Sequence, residues 1–350
     1  MSKKLGIIWF FIHFALEVIC YQFYTLFFHD SGYALALVIA YDILAFFPQM
    51  FIGGFAEKNE KLQVGKVGAL LVLAGGLTAV FCISYELLVF GFILVSIGNA
   101  FVHVGGAKAT LTTCANKISP SAIFIAGGAF GVITGRLLGQ FDKPFGIGYI
   151  IMSVGAILIF IADKIYIRAE KYIPMMNMSD DRRKPGVVIM LAFFVVAVRG
   201  LLNYGIPMTW NSGWKESLLL FCMMGAGKVL GGIFSDTLGA KKTALVSTAL
   251  ALPFLLLGDK TMWVSLIGIA LFSMTAASTL GILVSAAPEH PLIAYGVSVT
   301  GLLAGTLPAF YAPIKNVISG GVFITVLTAV CFAALAYIMK KDVKIPKTGG

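Results

Sequence analysis

Residues 231–242 read GGIFSDTLGAKK. This stretch joins two apolar runs, near 216–235 and 243–258, and its residue types suit a hairpin between two buried helices. Gly231 and Gly232 remove side chains where a neighbouring helix would otherwise be held off. Asp236 is the residue type that accepts hydrogen bonds at a helix start and pairs with nearby bases. Lys241 and Lys242 mark the side on which this connection lies. A degraded copy, GGFAEK at 53–58, closes an earlier apolar run. There Gly53 and Glu57 keep their places, and no glycine follows at the expected position.

Working outward, the rest of the 350-residue chain is 59% hydrophobic and 12% charged, with 39 Gly and 28 Phe. Its mean hydropathy is +0.94. A soluble domain is about 45–50% apolar and about 25% charged. Such an excess belongs in lipid, so the sequence describes an integral membrane protein. Cys20, Cys82, Cys114, Cys222 and Cys331 all fall in or at the ends of apolar runs, without a CxxC pair. They read as small buried hydrophobes. The opening stretch, Lys3 and Lys4 before an apolar run, has the look of a signal peptide. Its length, its Glu17 and the want of a small-residue cleavage site make it a first span instead.

A crossing needs about 20 apolar residues. Runs of that kind lie near 6–28, 33–55, 66–83, 87–107, 120–141, 146–167, 187–210, 216–235, 243–258, 262–286, 291–312 and 319–339. The expected fold is therefore all-α and polytopic, with twelve transmembrane helices. The one long charged connection, 168–186, divides it into an N-terminal six-helix bundle (1–167) and a C-terminal one (187–350). Placing both termini in the cytoplasm puts 19 of the 26 basic residues inside and four outside. The remaining three, Arg136, Arg199 and Lys228, sit within spans. That bias is the positive-inside rule, and it accounts for the net charge of +10 without a nucleic-acid partner. Two sixes with the hairpin sequence at equivalent places, the ends of spans two and eight, suit a transporter built from two parallel repeats.

GGIFSDTLGAKK resembles the G-x-x-x-D-x-x-G-x-[RK]-[RK] signature of the major facilitator superfamily, with Gly232, Asp236, Gly239, Lys241 and Lys242 filling every position. A narrower likeness, to the fosmidomycin resistance protein branch, rests on the first five spans. HFALE (13–17) resembles its His-x-x-x-acidic pattern. GNAFVHVGGAK (98–108) resembles its span-four stretch, with Val104-Gly105 in place of the usual Pro-Glu. GGAFGVITGRLLG (127–139) resembles a form of the antiporter motif: Gly131, Gly135 and Gly139 match, and Arg136 stands where the family has proline. The resemblance implies alternating access around a central cavity and proton-coupled export. It names no solute.

The charges inside the spans point to the working residues, because an ionisable group at mid-bilayer is held there at a cost of about 2.5–3.5 kcal/mol on insertion scales. Glu17, Asp42, Arg199 and Lys228 all fall within roughly one turn of mid-span. His13, Glu17 and Tyr21 share one helix face. Glu17 and Asp42 are candidate proton sites, with His13 tuning or relaying. Salt bridges from either carboxylate to a basic residue of another span, with no transport role, are the alternative. Arg199 with Asn203, Lys228 among glycines, and Tyr21 are candidate substrate contacts, a guanidinium being suited to a carboxylate or phosphonate. His103 reads as a satisfied structural histidine at a packed helix end. The stripe Gly127, Gly131, Gly135, Gly139 reads as a seam where the two halves move against each other. Arg136, about 9 Å outward of centre, reads as a gate partner of Asp42 or Glu17, or as an anion-attracting residue at the mouth.

Two carboxylates against three permanent cations favour an anionic solute. The expected function is secondary transport of a small organic anion by a monomer in the cell membrane, coupled to protons, with export by antiport favoured. Uptake by symport and efflux of a cationic drug stand as alternatives within transport. A non-transporting sensor is the alternative of another class, and the longest loop, under twenty residues, offers it no soluble appendage. No HExxH, GxSxG or P-loop is present, so no enzyme activity and no metal or organic cofactor are expected.

Overall fold

The computed structural model describes residues 2–81, 84–113, 117–166 and 184–339. Among them every regular element is helical. The first half contains α1 (Ser2–Phe27), α2 (Ala34–Phe46), α3 (Gln49–Lys58), α4 (Val64–Phe81), α5 (Tyr85–Thr113), α6 (Ser119–Gln140) and α7 (Gly146–Ile165). The second contains α8 (Pro185–Gly205), α9 (Trp214–Phe234), α10 (Ala240–Leu257), α11 (Met262–Ser273), α12 (Thr275–Ala286), α13 (Pro291–Thr306), α14 (Ala312–Ile318) and α15 (Gly321–Ile338). Most of the charged central connection, Cys82, Cys114 and the lysines beyond residue 339 lie outside the described residues.

These helices make twelve crossings. Pro48 cannot donate its backbone nitrogen, so the second crossing is broken into α2 and α3. The stretch Trp214–Leu257 is continuously apolar and helical over 44 residues, about 66 Å at 1.5 Å per residue. That is twice the hydrocarbon thickness. It folds back at Gly239, whose φ of 95° is closed to most side chains. A five-residue π-helical turn, Ser235–Gly239, leads into the bend. The sequence-predicted fourth span ends near 107, whereas α5 continues to Thr113. The added turns find partners: Lys108 Nζ donates to the carbonyls of Glu60 (2.7 Å) and Leu62 (3.2 Å).

Apolar side chains fill the interior and also cover the outside, while a set of polar side chains is fully buried. Phe51, Leu70, Ile150 and Leu257 are more than half exposed, while Gln22, Gln49, Asn99, Ser278 and Thr279 are fully buried. Lipid takes the apolar faces, and polar groups find each other inside. Gln22 illustrates this. Its Nε2 donates to the carbonyls of Lys143 (3.0 Å) and Pro144 (3.1 Å), and its Oε1 accepts from the Gly148 nitrogen (3.0 Å).

The glycine stripe of α6 corrects an expectation. Gly127, Gly131, Gly135 and Gly139 lie against Phe10, Phe14, Val18 and Thr25 of α1, inside the first bundle. The face that α6 turns to the second bundle carries Ala122 and Phe130, which meet Gly232 and Gly225 of α9. Small residues every fourth position announce that some backbone approaches closely. They do not say which helix brings it. A Cβ at Gly135 would strike the Val18 carbonyl and lie 3.0 Å from the Gln22 nitrogen. Gly135→Ala is therefore expected to destabilise the protein by about 1–3 kcal/mol through overpacking, read as a lower melting temperature in detergent. An unchanged melting curve would show that α1 and α6 can part freely.

Candidate functional site: a buried carboxylate between two histidines

His13 and Glu17 stand one turn apart on α1, and α6 leaves them room. A Cβ at Gly128 would come within 2.5 Å of His13 Nε2, and one at Gly131 within 2.7 Å of the Glu17 Cβ. Across from them α5 presents Asn99 and His103, again one turn apart, and α2 presents Tyr41. Asn99 Nδ2 donates to Glu17 Oε1 (2.9 Å), and the Tyr41 hydroxyl donates to Glu17 Oε2 (3.2 Å). Asn99 also reaches the Tyr41 oxygen (3.0 Å) and Cys20 Sγ (3.5 Å). Tyr21 places its ring 5.8 Å from that of Tyr41.

Both histidines hold Nδ1 against a main-chain carbonyl: His13 to Phe124 at 2.9 Å and His103 to Asn99 at 3.0 Å. Each Nδ1 must then carry the hydrogen, which leaves the two Nε2 atoms as acceptors in the neutral rings. Those atoms face Glu17 Oε1 at 3.6 and 3.8 Å, and the rings meet edge to face at 4.4 Å. All three side chains are buried. Three acceptor atoms thus converge in the interior, and a proton or another cation placed among them would relieve their repulsion.

His103, read from sequence as a structural histidine, is a full member of this cluster. Tyr41 and Asn99 gave weaker signals still. Asn99 shares a face with His103, but nothing in the sequence tells that α2 and α5 meet at Glu17. A direct Glu17–Arg199 or Glu17–Lys228 bridge is not present: among the described residues no basic side chain other than the two histidines lies within 4.0 Å of Glu17.

The remaining charges surround the cluster. Asp42 is buried and within electrostatic reach of Glu17. Lys228, half-buried on α9, feels both Glu17 and Arg199. Arg199 is 9% exposed, and its Nη1 donates to Thr279 Oγ1 of α12 at 3.1 Å. It is thus held by a neutral hydroxyl inside the second bundle. Asn203, one turn further along α8, is half-buried. Arg136 and Asp42 both lie within electrostatic reach of Tyr24, and among the described residues neither makes an ion pair within 4.0 Å.

At one end of the molecule, the end carrying the start of α1, two carboxylates join the bundles. Asp236, in the π-helical turn after α9, accepts from the nitrogens of Ile118 (2.7 Å) and Ser119 (3.1 Å) at the start of α6. Glu57, at the close of α3, accepts from Leu292 (2.6 Å) and Ile293 (3.4 Å) at the start of α13 and meets His290 Nδ1 at 3.1 Å. Each carboxylate caps a helix of the opposite bundle, where orphan N–H groups and the helix dipole welcome negative charge. Glycine permits the approach at both: a Cβ at Gly53 would lie 2.7 Å from the Leu292 carbonyl, and one at Gly232 would strike Ala122. The degraded first-half copy therefore keeps the geometry of the full one. Hydrogen bonds to a charged acceptor contribute about 1.5–3 kcal/mol. The double variant Glu57→Gln, Asp236→Asn is expected to widen this end, measured as a longer distance between spin labels on α3 and α13. An unaltered distance distribution would remove the latch from the account.

No family model and no curated sequence matches the chain. Solved structures do. It is similar to a variant of the E. coli fucose:proton symporter FucP, with a TM-score of 0.65 and 15% identity over 97% of each chain. It is also similar to FucP described as a major facilitator superfamily transporter in the outward conformation, with a TM-score of 0.67 and 14% identity over 96% of this chain and 97% of that one. Twelve crossings, two carboxylate-capped junctions between the halves and an end-to-end match to these structures lead to one conclusion. The chain is a multi-pass membrane protein with the major facilitator fold.

Proposed function

We propose that this protein is a proton-coupled secondary transporter of a small organic anion, a carboxylate or phosphonate in chemical class. The observation that carries the reading is the buried His13–Glu17–His103 cluster, short of one cation, with the positive charges of Lys228 and Arg199 beyond it on the other bundle. A proton is the smallest cation that fits among three converging acceptors. Lys228, free of any carboxylate within 4.0 Å among the described residues, is the natural anchor for the solute. Arg199 adds field and Asn203 a polar contact, while Tyr21 and Asp42 flank the cluster. With the positive-inside orientation of the sequence, the latched end is cytoplasmic. Arg136 then lies towards the opposite end, where among the described residues it makes no ion pair within 4.0 Å.

The resemblance to the fosmidomycin resistance branch favoured antiport. Electrostatics favours the reverse for an anion. A proton on the Glu17 cluster and an anion beside Lys228 carry opposite charges, so each strengthens the binding of the other, and co-binding is symport. Antiport needs competition, which a cationic solute bound at Glu17 and Asp42 would provide. Binding of candidate organic anions to the purified protein, followed by calorimetry at two pH values, decides between them. Affinity that rises as pH falls is expected, and affinity that falls would restore the antiport reading.

A further inference from the structure

We propose that the His13–Glu17–His103 cluster is also a binding site for a divalent transition-metal cation of the zinc class. The inference rests on the geometry of the cluster as a cation site and not on transport. Metal-binding histidines characteristically donate one ring N–H to a carbonyl or carboxylate, which fixes the tautomer and aims the other nitrogen at the metal. Both histidines do this, through the Phe124 and Asn99 carbonyls. The ligand atoms of all three residues lie within 4.8 Å of one another. In a tetrahedral site with bonds of about 2.0–2.1 Å, neighbouring ligand atoms stand about 3.3–3.4 Å apart. The two nitrogen–carboxylate edges, 3.6 and 3.8 Å, need to contract by only a few tenths of an ångström.

The donor set selects the ion. Two imidazoles and one carboxylate suit Zn²⁺, Co²⁺, Fe²⁺ or Ni²⁺, whereas Mg²⁺ and Ca²⁺ take oxygen shells. Backbone placement favours a defined site: His13 and Glu17 share one helix face at i and i+4, and His103 comes from α5 at the same level. A further observation points the same way. Asn99 Oδ1 is buried without a hydrogen-bond partner, although the same amide's nitrogen contacts Glu17. A metal seated on Glu17 releases the Asn99 amide from that carboxylate, and a half-turn of the amide then presents the unused acceptor as a fourth donor. A metal seated there displaces the proton, so the same ions are expected to inhibit proton-driven transport.

The test uses the full chain in detergent, purified without a histidine tag, and titrated with Co²⁺. One equivalent should bind with the intense visible absorption of tetrahedral cobalt; Zn²⁺ should displace it and Mg²⁺ should not. His13→Gln and His103→Gln should each weaken binding on the order of ten- to a hundred-fold, while His29→Gln at the surface should leave it unchanged. Should the variants fail to fold, X-ray absorption at the zinc edge of the wild-type protein decides. Two imidazoles with oxygen at about 2.0–2.2 Å are expected. No retained metal, an all-oxygen shell or a single imidazole overturns the proposal. The two readings of the cluster fail separately. Metal binding with transport indifferent to Glu17 would sink the proton-coupling role alone, and proton coupling without metal binding would sink the metal site alone.

Discussion

Glu17→Gln reconstituted in liposomes is expected to lose acceleration by a pH gradient while still exchanging solute across the membrane at equal pH. Removal of a proton-transferring group typically lowers a rate by 10²–10⁴-fold, so gradient-driven uptake should fall by roughly 10²-fold or more. Glutamine keeps the shape: its one amide oxygen can accept from Asn99, and its amide nitrogen can donate to the Tyr41 oxygen, in place of the two hydrogen bonds that hold the wild-type carboxylate. What it cannot do is gain and release a proton. His103→Gln should reduce the same rate less severely, because His13 continues to face the carboxylate at 3.6 Å. Asp42, buried on α2, provides the control for position: Asp42→Asn tests whether a second carboxylate shares the proton. Gradient-driven accumulation in Glu17→Gln at the wild-type level would place the coupling site elsewhere.

The second large effect is expected at Lys228. Truncating one partner of a buried charge pair costs about 2–5 kcal/mol, so Lys228→Gln should weaken binding of an anionic solute by roughly 30-fold or more, at about 1.4 kcal/mol per tenfold. Arg199→Gln should weaken binding too, and should in addition lower the melting temperature, because Arg199 is packed within the second bundle and bonded to Thr279. Lys228, half-buried and without a carboxylate within 4.0 Å among the described residues, should show the binding loss with little loss of stability. Unchanged affinity in both variants, joined with loss of binding in Asp42→Asn, would make the solute a cation.

The legibility of this protein in its sequence differs from feature to feature. Twelve apolar runs of the right length follow from solvent alone: a run that long has no stable place in water, so counting it needs no tertiary knowledge. The hairpin 231–242 was legible for a similar reason. Asp236 as a helix-start cap, which needs orphan N–H groups, is a local demand, whereas the φ of 95° at Gly239 came only with the structure. That those N–H groups belong to Ile118 and Ser119, across the molecule, was not legible. Glu57 was recognised as a matching position, yet its partner His290 carries no signal of its own.

The central cluster shows the boundary most sharply. His13 and Glu17 could be paired from sequence because an α-helix puts i and i+4 on one face. His103 and Asn99 could be paired with each other on the same ground. Only the packing of α1 against α5 brings the two pairs together, and residue spacing within helices does not encode which helices meet. The glycine stripe failed for the same reason. By itself, then, the sequence determined what depends on the solvent and on one helix at a time: membrane residence, the count of crossings, the hairpin and the charges that must face inward. The tertiary structure decided what depends on two helices: that Glu17 lies between two histidines rather than against Arg199 or Lys228, that the stripe seals α1 to α6, and that the carboxylates of one bundle cap helices of the other.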